Sequence, residues 1–312
     1  MSDVFDPRQV RRAFSRASTS YASAARLQRE IEARLLESLD YYAQGRPESA
    51  QTPTVVVDLG SGPGGASRAL RARWPKARVL SLDHALPMLR AQIGAPAGAF
   101  GALRKRFTRA PDRICADARA LPLADDCVDL LFSNLCLQWI EDLPAVFAGF
   151  RRVLKPGGMI VVSTFGPETL HELREAFAVA DAVPHVSPFA SIAQFGDALI
   201  GSGFRNPVLD RDELVTRYDD LSALMRELRA IGATNALRAR RHTLTGRGRF
   251  AAAAQAYERW REPCGDGVSA ALPATWEVIT AIAWAPEHGV PIREGDRDVA
   301  RFPANAIQLR KR

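Results

Sequence analysis

Apolar and polar positions along the first half of the chain form two alternating patterns. Continuous apolar runs at residues 54–59, 78–83, 113–116, 128–134 and 159–165 are typical of strands buried on both faces of a sheet. The segments between them place apolar residues three or four positions apart, which is the spacing of one helix face. Strands that alternate with helices in this way predict a parallel sheet with helices on both sides.

The second half of the chain predicts further helices and two closing strands. The strand candidates are apolar segments at 207–215 and 272–285. Helices are predicted over the whole chain at residues 8–42, 66–74, 85–92, 143–154, 168–180, 191–202, 220–231 and 247–262. The predicted fold class is α/β, a doubly wound, mostly parallel, seven-stranded Rossmann-like sheet with N-terminal helices and a helical lid or insertion.

The same patterns predict the domain organisation. Residues 1–50 are expected to form an N-terminal helical lid, followed by the main domain at 51–312. Residues 94–112 are rich in Gly and Ala and then basic, and we expect a surface insertion there. The main domain is expected to contain a ligand-binding core at 54–165, substrate-side helices and last strands at 166–290, and a basic tail at 291–312.

The charge of the chain favours anionic partners without identifying one. The sequence has 42 Lys and Arg against 35 Asp and Glu, which gives a net charge of +7 and a pI near 9.6. Nucleic acid, a phosphate-bearing cofactor and an acidic carrier protein all fit this charge. No apolar run reaches the roughly 20 residues that span a bilayer, and the N-terminal segment lacks the apolar region of a secretory signal. We therefore expect a cytoplasmic protein that is not bound to membranes.

The cysteine pattern gives no indication of a metal site. Cys115, Cys127, Cys136 and Cys264 form no CxxC pair, and no His lies at the spacing of a zinc finger. We expect reduced cysteines and no bound metal.

The strongest local signal is the segment DLGSGPG at residues 58–64, between a predicted strand and a predicted helix. Gly60, Gly62 and Gly64 permit a tight turn and a close approach of the backbone to a ligand. A dinucleotide-binding site is the alternative, but Pro63 and the leading Asp58 are less typical of a pyrophosphate site. Asp58 is a candidate to anchor, directly or through water, the cationic amino group of a methionine moiety.

A second signal lies at the end of the second predicted strand. Asp83 is suited to accept hydrogen bonds from both hydroxyls of a ribose. His84 and Met88 follow, and their apolar surfaces are candidates to lie against adenine. Met88 fits equally well as a buried helix residue.

Further candidates follow the third and fourth predicted strands. Asp117 is a candidate acceptor for the exocyclic amine of adenine, with Ala118 supplying the neighbouring N–H, although an ordinary turn is the alternative. Asn134 ends the fourth strand, where open α/β sheets place ligands. Gln138 and Trp139 come next and are candidates to border a methyl-donor pocket.

Taken together, these segments resemble the class I methyltransferase superfamily. The resemblance lies in DLGSGPG, LSLD, CADARALPLADDCVD and the LKPGG turn, and covers about residues 54–165. It implies S-adenosylmethionine as the cofactor, bound across the carboxyl ends of strands one, two and four. Methyl transfer from a sulfonium depends mainly on alignment and desolvation of the acceptor and needs no metal.

A longer resemblance extends over nearly the whole chain, to the malonyl-acyl carrier protein O-methyltransferase family of biotin synthesis. Its segments lie within residues 5–36, 133–139, 165–174, 184–185, 221–228, 231–235 and 272–278. The resemblance implies methylation of the free carboxylate of a malonyl thioester, carried on malonyl-acyl carrier protein or malonyl-CoA. It implies an acidic carrier protein as partner and neither nucleic acid nor a membrane. The insertion at 94–112 and the tail after Pro286 have no match in compact members of that family.

A carboxylate acceptor needs no general base, but it needs donors to orient it, and arginine is its natural bidentate partner. The substrate-orienting candidates are Tyr21, as a hydrogen-bonding lid residue, and Gln138, Arg174, His185, Arg238 and Arg241.

Two alternative functions remain open on the sequence. GPETLHELR at 166–174, HVSPF at 185–189 and PAT at 273–275 also resemble the mitochondrial complex I assembly factor family. Members of that family bind S-adenosylmethionine and are associated with arginine hydroxylation. A methyltransferase acting on another small carboxylate or on a quinone precursor is the third possibility.

Overall fold

The computed structural model describes residues 4–43, 51–92, 112–243, 245–263 and 270–287, with residue 289 and two short strands beyond it. Of the expected insertion at 94–112, only residue 112 is described. The expected basic tail is described only within those two short strands, and Cys264 lies outside the described residues.

The strands of the described residues form one large sheet and one small hairpin. Their bounds are β1 Val55–Leu59, β2 Arg78–Asp83, β3 Asp112–Cys115, β4 Val128–Ser133, β5 Leu154–Phe165, β6 Arg205–Tyr218, β7 Glu262–Pro263, β8 Ala270–Trp284, β9 Ile292–Glu294 and β10 Arg297–Val299.

The large sheet has the strand order β3-β2-β1-β4-β5-β8-β6, with the short β7 paired to β8. Neighbours from β3 to β5 are parallel, whereas β8 runs antiparallel to both β5 and β6. The predicted mostly parallel, seven-stranded sheet is therefore confirmed, with β7 as a short addition. The order reverses direction between β1 and β4, and ligands bind at such a switch point beyond the carboxyl ends of the strands.

The central strands are apolar throughout because helices cover both faces of the sheet. Val57 contributes to a cluster with Leu80 and Phe147 on one face. The adjacent Val56 packs with Leu70 and other apolar residues on the opposite face. Successive side chains of a strand point to opposite faces, so a strand that is covered on both sides has apolar residues at consecutive positions.

Ten α-helices and three 3₁₀ turns lie among the described residues. The helices are α1 Pro7–Ala17, α2 Tyr21–Ala24, α3 Arg26–Glu37, α4 Gly65–Arg73, α5 Leu86–Ala91, α6 Leu143–Val153, α7 His171–Ala180, α8 Ile192–Gly201, α9 Leu221–Ala230 and α10 Arg247–Tyr257. The 3₁₀ turns are Ser38–Ala43, Leu137–Trp139 and Glu258–Trp260. None of these helices combines the length and the apolar character needed to cross a bilayer.

The helical stretch predicted at residues 8–42 is divided into three helices and a 3₁₀ turn. The first break is tied to a distant helix, because the Ser20 hydroxyl donates a hydrogen bond of 2.7 Å to the carbonyl oxygen of Ala230 in α9. In α3, Leu27 and Ile31 pack with Trp276 and the helices of the second half. Leu35 packs instead against the face of the sheet. The N-terminal helices therefore connect the central sheet to the helices that follow β5.

Candidate active site

The glycine-rich turn between β1 and α4 holds its backbone in a conformation that favours glycine. Gly60, Gly62 and Gly64 have φ values of 69°, 49° and 81°. A Cβ on Gly60 would lie only 2.6 Å from the Cβ of Cys136, which is closer than two such carbons approach. Glycine is thus required at position 60, both for the left-handed backbone and for the contact with the segment after β4.

Asp58, at the end of β1, is 2% exposed and accepts a hydrogen bond of 2.5 Å from the Ser67 hydroxyl in α4. Burial, helped by the nearby carboxylates of Glu32 and Asp83, raises the pKa of Asp58 to about 7 against the effect of the hydrogen bond from Ser67. A buried carboxylate of this kind is stabilised in its ionised form by a cation.

Asp83 ends β2 beside the same turn. Its carboxylate accepts hydrogen bonds from the backbone N–H of Gly62 at 2.9 Å and of Ala85 at 2.7 Å. Burial raises the pKa of Asp83 to about 6 against the effect of these two N–H donors. The two bonds fix the carboxylate at the carboxyl edge of the sheet, where it also lines a cavity.

Asp117 lies across this cavity, after β3. The Arg119 guanidinium donates to both of its carboxylate oxygens, at 3.0 and 2.6 Å. Burial opposes ionisation, but the hydrogen bonds and charge of Arg119 outweigh it and hold the pKa of Asp117 below its usual value. Asp117 is therefore ionised and paired before any ligand binds.

Asp83 and Asp117 share one cavity of about 110 Å³ with most of the other residues expected to bind a nucleoside. We call it the nucleoside cavity. It is lined by Leu59, Gly60, Gly62, Asp83, His84, Met88, Ala116, Asp117, Ala118, Arg119, Asn134, Leu135, Cys136 and Ile140, and by Pro7, Val10, Phe14, Tyr21 and Trp139. The structure thus brings together eight of the predicted cofactor residues; Asp58 and Gly64 are not among those that line it.

A second cavity of about 310 Å³ adjoins the first on the side of the glycine turn. It shares Tyr21, Gly60, Gly62 and Asn134 with the nucleoside cavity. Its other lining residues include Asp58, Gln28, Arg29, Glu32, Ser61, Gly65 and Arg68. We call it the charged cavity, because acidic and basic side chains both line it.

Glu32 of α3 lies over the start of α4. A Cβ on Gly65 would lie 2.5 Å from a Glu32 carboxylate oxygen, so the carboxylate nearly touches the glycine. Burial raises the pKa of Glu32, while a hydrogen bond from the Ala66 N–H opposes the shift. Sequence reasoning missed Glu32. The available signal was the pair Gln28 and Glu32, four residues apart beside an apolar stripe, which places two polar side chains next to a buried helix face.

A third cavity, the acceptor cavity, opens on the other side of Tyr21, with a volume of about 240 Å³. It shares Phe14, Tyr21, Leu135 and Trp139 with the nucleoside cavity. Most of its wall is apolar, from Phe165, Leu170, Leu173, Phe177, Val186, Phe189, Met225, Leu228, Ile231 and Trp276. Its polar members include Gln28, Gln138, Thr169, His185, Ser187, Arg229, Thr234 and Asn235.

Tyr21 lines all three cavities. Burial raises the pKa of its hydroxyl above the normal range, and the carboxylates of Asp83 and Glu32 raise it further. The neutral phenol therefore remains a hydrogen-bond donor at physiological pH.

Three other polar groups beside the acceptor cavity are buried without a partner in the described part of the chain: the indole N–H of Trp139 and the amide oxygens of Gln28 and Gln138. The Gln138 amide nitrogen donates to the Leu135 carbonyl oxygen at 2.7 Å. Buried polar groups are usually satisfied, so an unpartnered one in a cavity wall indicates a ligand contact.

The predicted substrate-orienting residues are not all brought together. Tyr21, Gln138 and His185 line the acceptor cavity, whereas Arg174, Arg238 and Arg241 are not among its lining residues. Arg174 donates to the Thr169 carbonyl oxygen at 3.2 Å. Arg238 donates to the Phe5 carbonyl oxygen at 3.2 Å, joining the N-terminal segment to the loop after α9.

Arg241 and His185 meet at Asp181 instead. The Arg241 guanidinium donates to both Asp181 oxygens at 3.0 and 2.6 Å, and His185 Nε2 lies 3.2 Å from Asp181. The Arg241 hydrogen bonds hold the pKa of Asp181 well below its usual value, against the effect of burial. His185 stacks on Phe177 with ring centroids 4.1 Å apart. Arg241 therefore orients the Asp181–His185 pair, and His185 is the member of this group that lines the cavity.

The arginine that does line the acceptor cavity is Arg229, which sequence reasoning missed. It follows Leu228 near the end of α9 and its side chain is exposed. No feature of the sequence separates Arg229 from the chain's many other arginines.

Comparison with known proteins identifies the family of this chain. The family model described as "Methyltransferase domain" matches residues 57–162. The malonyl-[acyl-carrier protein] O-methyltransferase of Xylella fastidiosa (strain M23) is 54% identical over 312 residues, covering 100% of this chain and 99% of the relative. The chain belongs to that family. It is an O-methyltransferase whose cofactor is S-adenosylmethionine, and the predicted cofactor and reaction type are confirmed.

Further comparisons agree on family and fold. The malonyl-[acyl-carrier protein] O-methyltransferase of Laribacter hongkongensis is 42% identical over 310 residues, covering 98% of this methyltransferase and 99% of the relative. The solved structure of the YcgJ protein from Bacillus subtilis aligns with a TM-score of 0.52 at 16% identity, covering 81% of this chain and 98% of that one. This second likeness concerns the fold alone.

The residues of the nucleoside and charged cavities fit S-adenosylmethionine. Asp58 is a buried carboxylate and Glu32 and Asp83 are half-buried ones, and the pKa values of all three are raised in the protein without ligand. A ligand that carries a sulfonium and an ammonium would offset their desolvation and their mutual repulsion. Asp83 also presents a fixed carboxylate, as a ribose diol requires.

Proposed function

We propose that this methyltransferase converts the free carboxylate of a malonyl thioester on acyl carrier protein into its methyl ester. The observation that carries the proposal is the apolar acceptor cavity, which meets the nucleoside cavity at Phe14, Tyr21, Leu135 and Trp139. The names of the relatives support the malonyl substrate.

In this proposal, the ribose hydroxyls of the cofactor donate to Asp83, with His84 and Met88 beside the adenine. Asp117 is the acceptor for the adenine amine and Ala118 supplies the neighbouring N–H. The ammonium and carboxylate groups of the methionine part pair with Glu32 and Arg29 respectively, with Asp58 adding negative charge below them. The opposite charges of Glu32 and Arg29 in one cavity support this assignment.

Bound S-adenosylmethionine supplies an electrophilic methyl group on a positively charged sulfur. The protein's own contribution is to align the acceptor carboxylate and to remove its water. Phe14, Leu135 and Trp139 form apolar surface where the two cavities meet. When the carboxylate attacks the methyl group of the sulfonium, the negative and positive charges neutralise each other. Water stabilises the charged reactants more than the less charged transition state, so an environment with little water favours the reaction.

No arginine is needed beside the reacting oxygen. A carboxylate is already a competent nucleophile, and a guanidinium bound to both oxygens would withdraw electron density from it. The Tyr21 hydroxyl and the Trp139 indole N–H are neutral donors in the wall between the cavities, and we infer that they orient the carboxylate. His185, held by Asp181, is the candidate to contact the thioester side of the substrate.

The net charge of +7 supports an acidic carrier protein as partner. Malonyl-CoA remains a second candidate carrier. A cytoplasmic location and the lack of a nucleic-acid partner remain predictions from the sequence.

The test is methyl transfer from labelled S-adenosylmethionine to malonyl-acyl carrier protein, with malonyl-CoA and acetyl-acyl carrier protein in parallel. We expect a base-labile labelled ester on the malonyl protein and none on the acetyl control, which lacks the free carboxylate. If the cofactor binds but no malonyl thioester is labelled, the proposed substrate is wrong.

A further inference from the structure

A groove of about 550 Å³ runs between α1 and α9 on the outer side of the acceptor cavity. Its lining residues are Gln9, Ala13, Arg16, Ala17, Ser20, Arg226, Arg229, Ala230 and Thr234. The charged members are three arginines, and no carboxylate belongs to the lining among the residues that the structure describes. The groove therefore presents concentrated positive charge next to the acceptor site.

The three arginines are exposed, and none of them forms an ion pair within the described ranges of the chain. Nearby arginines behave differently, since Arg240 is paired with Asp6 and Arg241 with Asp181. Three guanidinium groups that line one groove without a paired carboxylate repel one another, and an anionic ligand would relieve that repulsion.

The groove is continuous with the acceptor cavity, because Arg229 and Thr234 line both. No residue of the groove lines the nucleoside cavity. An anion held in the groove therefore contacts residues other than those that line the nucleoside cavity, so it is not the group that receives the methyl. The ligand must carry a second, reactive end that passes inward.

We propose that this groove binds the phosphate of a phosphopantetheine thioester, an inference that rests on the proposed function. Acyl carrier proteins hold their acyl groups on such an arm, with a phosphodiester at the protein end and the thioester at the other. Arg16, Arg226 and Arg229 contact the phosphate oxygens, for which the guanidinium fork is suited. The pantetheine chain then lies along the apolar acceptor cavity and delivers the malonyl carboxylate to Tyr21 and Trp139.

The geometry makes the phosphate a determinant of specificity as well as affinity. An acyl chain without the phosphate can still enter the acceptor cavity, but it lacks the contact that fixes how far it enters. We therefore expect the groove to favour phosphorylated thioesters in kcat/KM, and to do so less at high salt because the arginines are exposed.

The experiment compares malonyl-phosphopantetheine with malonyl-pantetheine, two protein-free substrates that differ only in the phosphate. For the wild type we expect kcat/KM to be at least about tenfold higher with the phosphate, since two or more charge-assisted contacts are involved. In the double variant Arg16→Gln/Arg226→Gln the preference should fall to within about threefold. The matched control is Arg217→Gln, which removes an exposed arginine from β6, outside the groove. Its preference should equal that of the wild type.

The outcomes separate the inference from the proposed function. If the wild type methylates both thioesters equally, or the double variant keeps the full preference, the groove does not bind the phosphate. If the double variant loses activity only with malonyl-acyl carrier protein and keeps the preference between the small thioesters, the groove contacts the carrier protein's surface and the inference is wrong. If the wild type methylates no malonyl thioester at all, the proposed function itself fails.

Discussion

Acidification from pH 8 to pH 5.5 is expected to weaken the binding of S-adenosylmethionine by about 100-fold. The reason is the cluster of buried carboxylates at the carboxyl ends of β1 and β2. In the ligand-free protein the pKa of Asp58 is raised to about 7 and that of Asp83 to about 6. The cofactor's positive charges and ribose hydroxyls favour the ionised form of both groups, so binding competes with protonation.

The magnitude follows from the two pKa values. At pH 5.5, roughly one Asp58 in thirty and one Asp83 in four is ionised, and the product gives the loss of about two orders of magnitude. At pH 8 both are almost fully ionised, so the affinity reaches a plateau. Near pH 6.5, where the two groups together carry about one proton, binding should release about one proton.

Isothermal titration calorimetry in two buffers of different ionisation enthalpy measures both the affinity and the proton release. Asp58→Asn keeps the acceptor for the Ser67 hydroxyl but no longer titrates, so we expect lower affinity at pH 8 and a smaller remaining pH dependence. Asp83 contributes about fourfold to it, and Glu32, whose pKa is also raised, adds to it. Asp129→Asn is the matched control. The pKa of Asp129 is lowered by hydrogen bonds from Lys155 and Thr54 that outweigh burial, and Asp129 lines none of the three cavities. An affinity that is equal at pH 5.5 and pH 8, without proton release, would refute the reasoning.

Three further predictions concern Gly60 in the glycine-rich turn, Tyr21, which lines all three cavities, and Asp181, which contacts His185. Gly60→Ala should lower the free energy of unfolding by about 2–4 kcal/mol, because of the left-handed backbone and the clash with the Cβ of Cys136. Chemical denaturation measures this, and Gly60→Ala/Cys136→Gly, which removes that Cβ, should be less destabilised than the sum of the two single variants. Tyr21→Ala should lower kcat about 100-fold, because it admits water and frees the acceptor. Tyr21→Phe keeps the ring, and its kcat should fall less than tenfold. Equal losses of kcat in steady-state assays would show that the aromatic ring is not what the reaction depends on. Asp181→Asn should raise KM for the malonyl substrate and lower the melting temperature at pH 7. The pKa of Asp181 is depressed in the folded protein, so its ionised carboxylate stabilises the fold above the unfolded pKa of about 3.8, and this stabilisation is lost as the pH falls. The melting temperatures of the variant and the wild type should therefore converge in acid. A difference that stays constant with pH would contradict this account.

Much of the candidate cofactor site could be predicted, because the order of the strands along the chain decides which strand ends lie side by side in a parallel sheet. Residues after the carboxyl ends of neighbouring parallel strands must meet at one edge. Asp83, Asp117 and Asn134 lie far apart along the chain, yet all line the nucleoside cavity. Their roles toward the cofactor remain predictions, but their convergence follows from β1, β2, β3 and β4 alone.

The contribution of the N-terminal helices was only partly predictable. Tyr21 was expected as a lid residue, and it lies against the glycine turn, 3.9 Å from the position of a Cβ on Gly62. Glu32 and Arg29 were not expected, although they line the charged cavity. Helical periodicity tells which face of α3 is buried, but not which distant turn that face will meet.

The arginines show most clearly which properties the sequence determines and which only the tertiary structure decides. The sequence by itself determined the α/β fold, the strand ends that carry the cofactor residues and the family of the enzyme, because short apolar runs, glycine turns and acidic positions are local features. It did not determine which of many arginines serve the substrate. Arg241 is neutralised by Asp181 and Arg238 is bound to the backbone, whereas Arg16, Arg226 and Arg229 line one groove, which shares Arg229 with the acceptor cavity. An arginine's role depends on the partners that folding brings within a few ångströms of it, and α1 and α9 meet only through the tertiary structure.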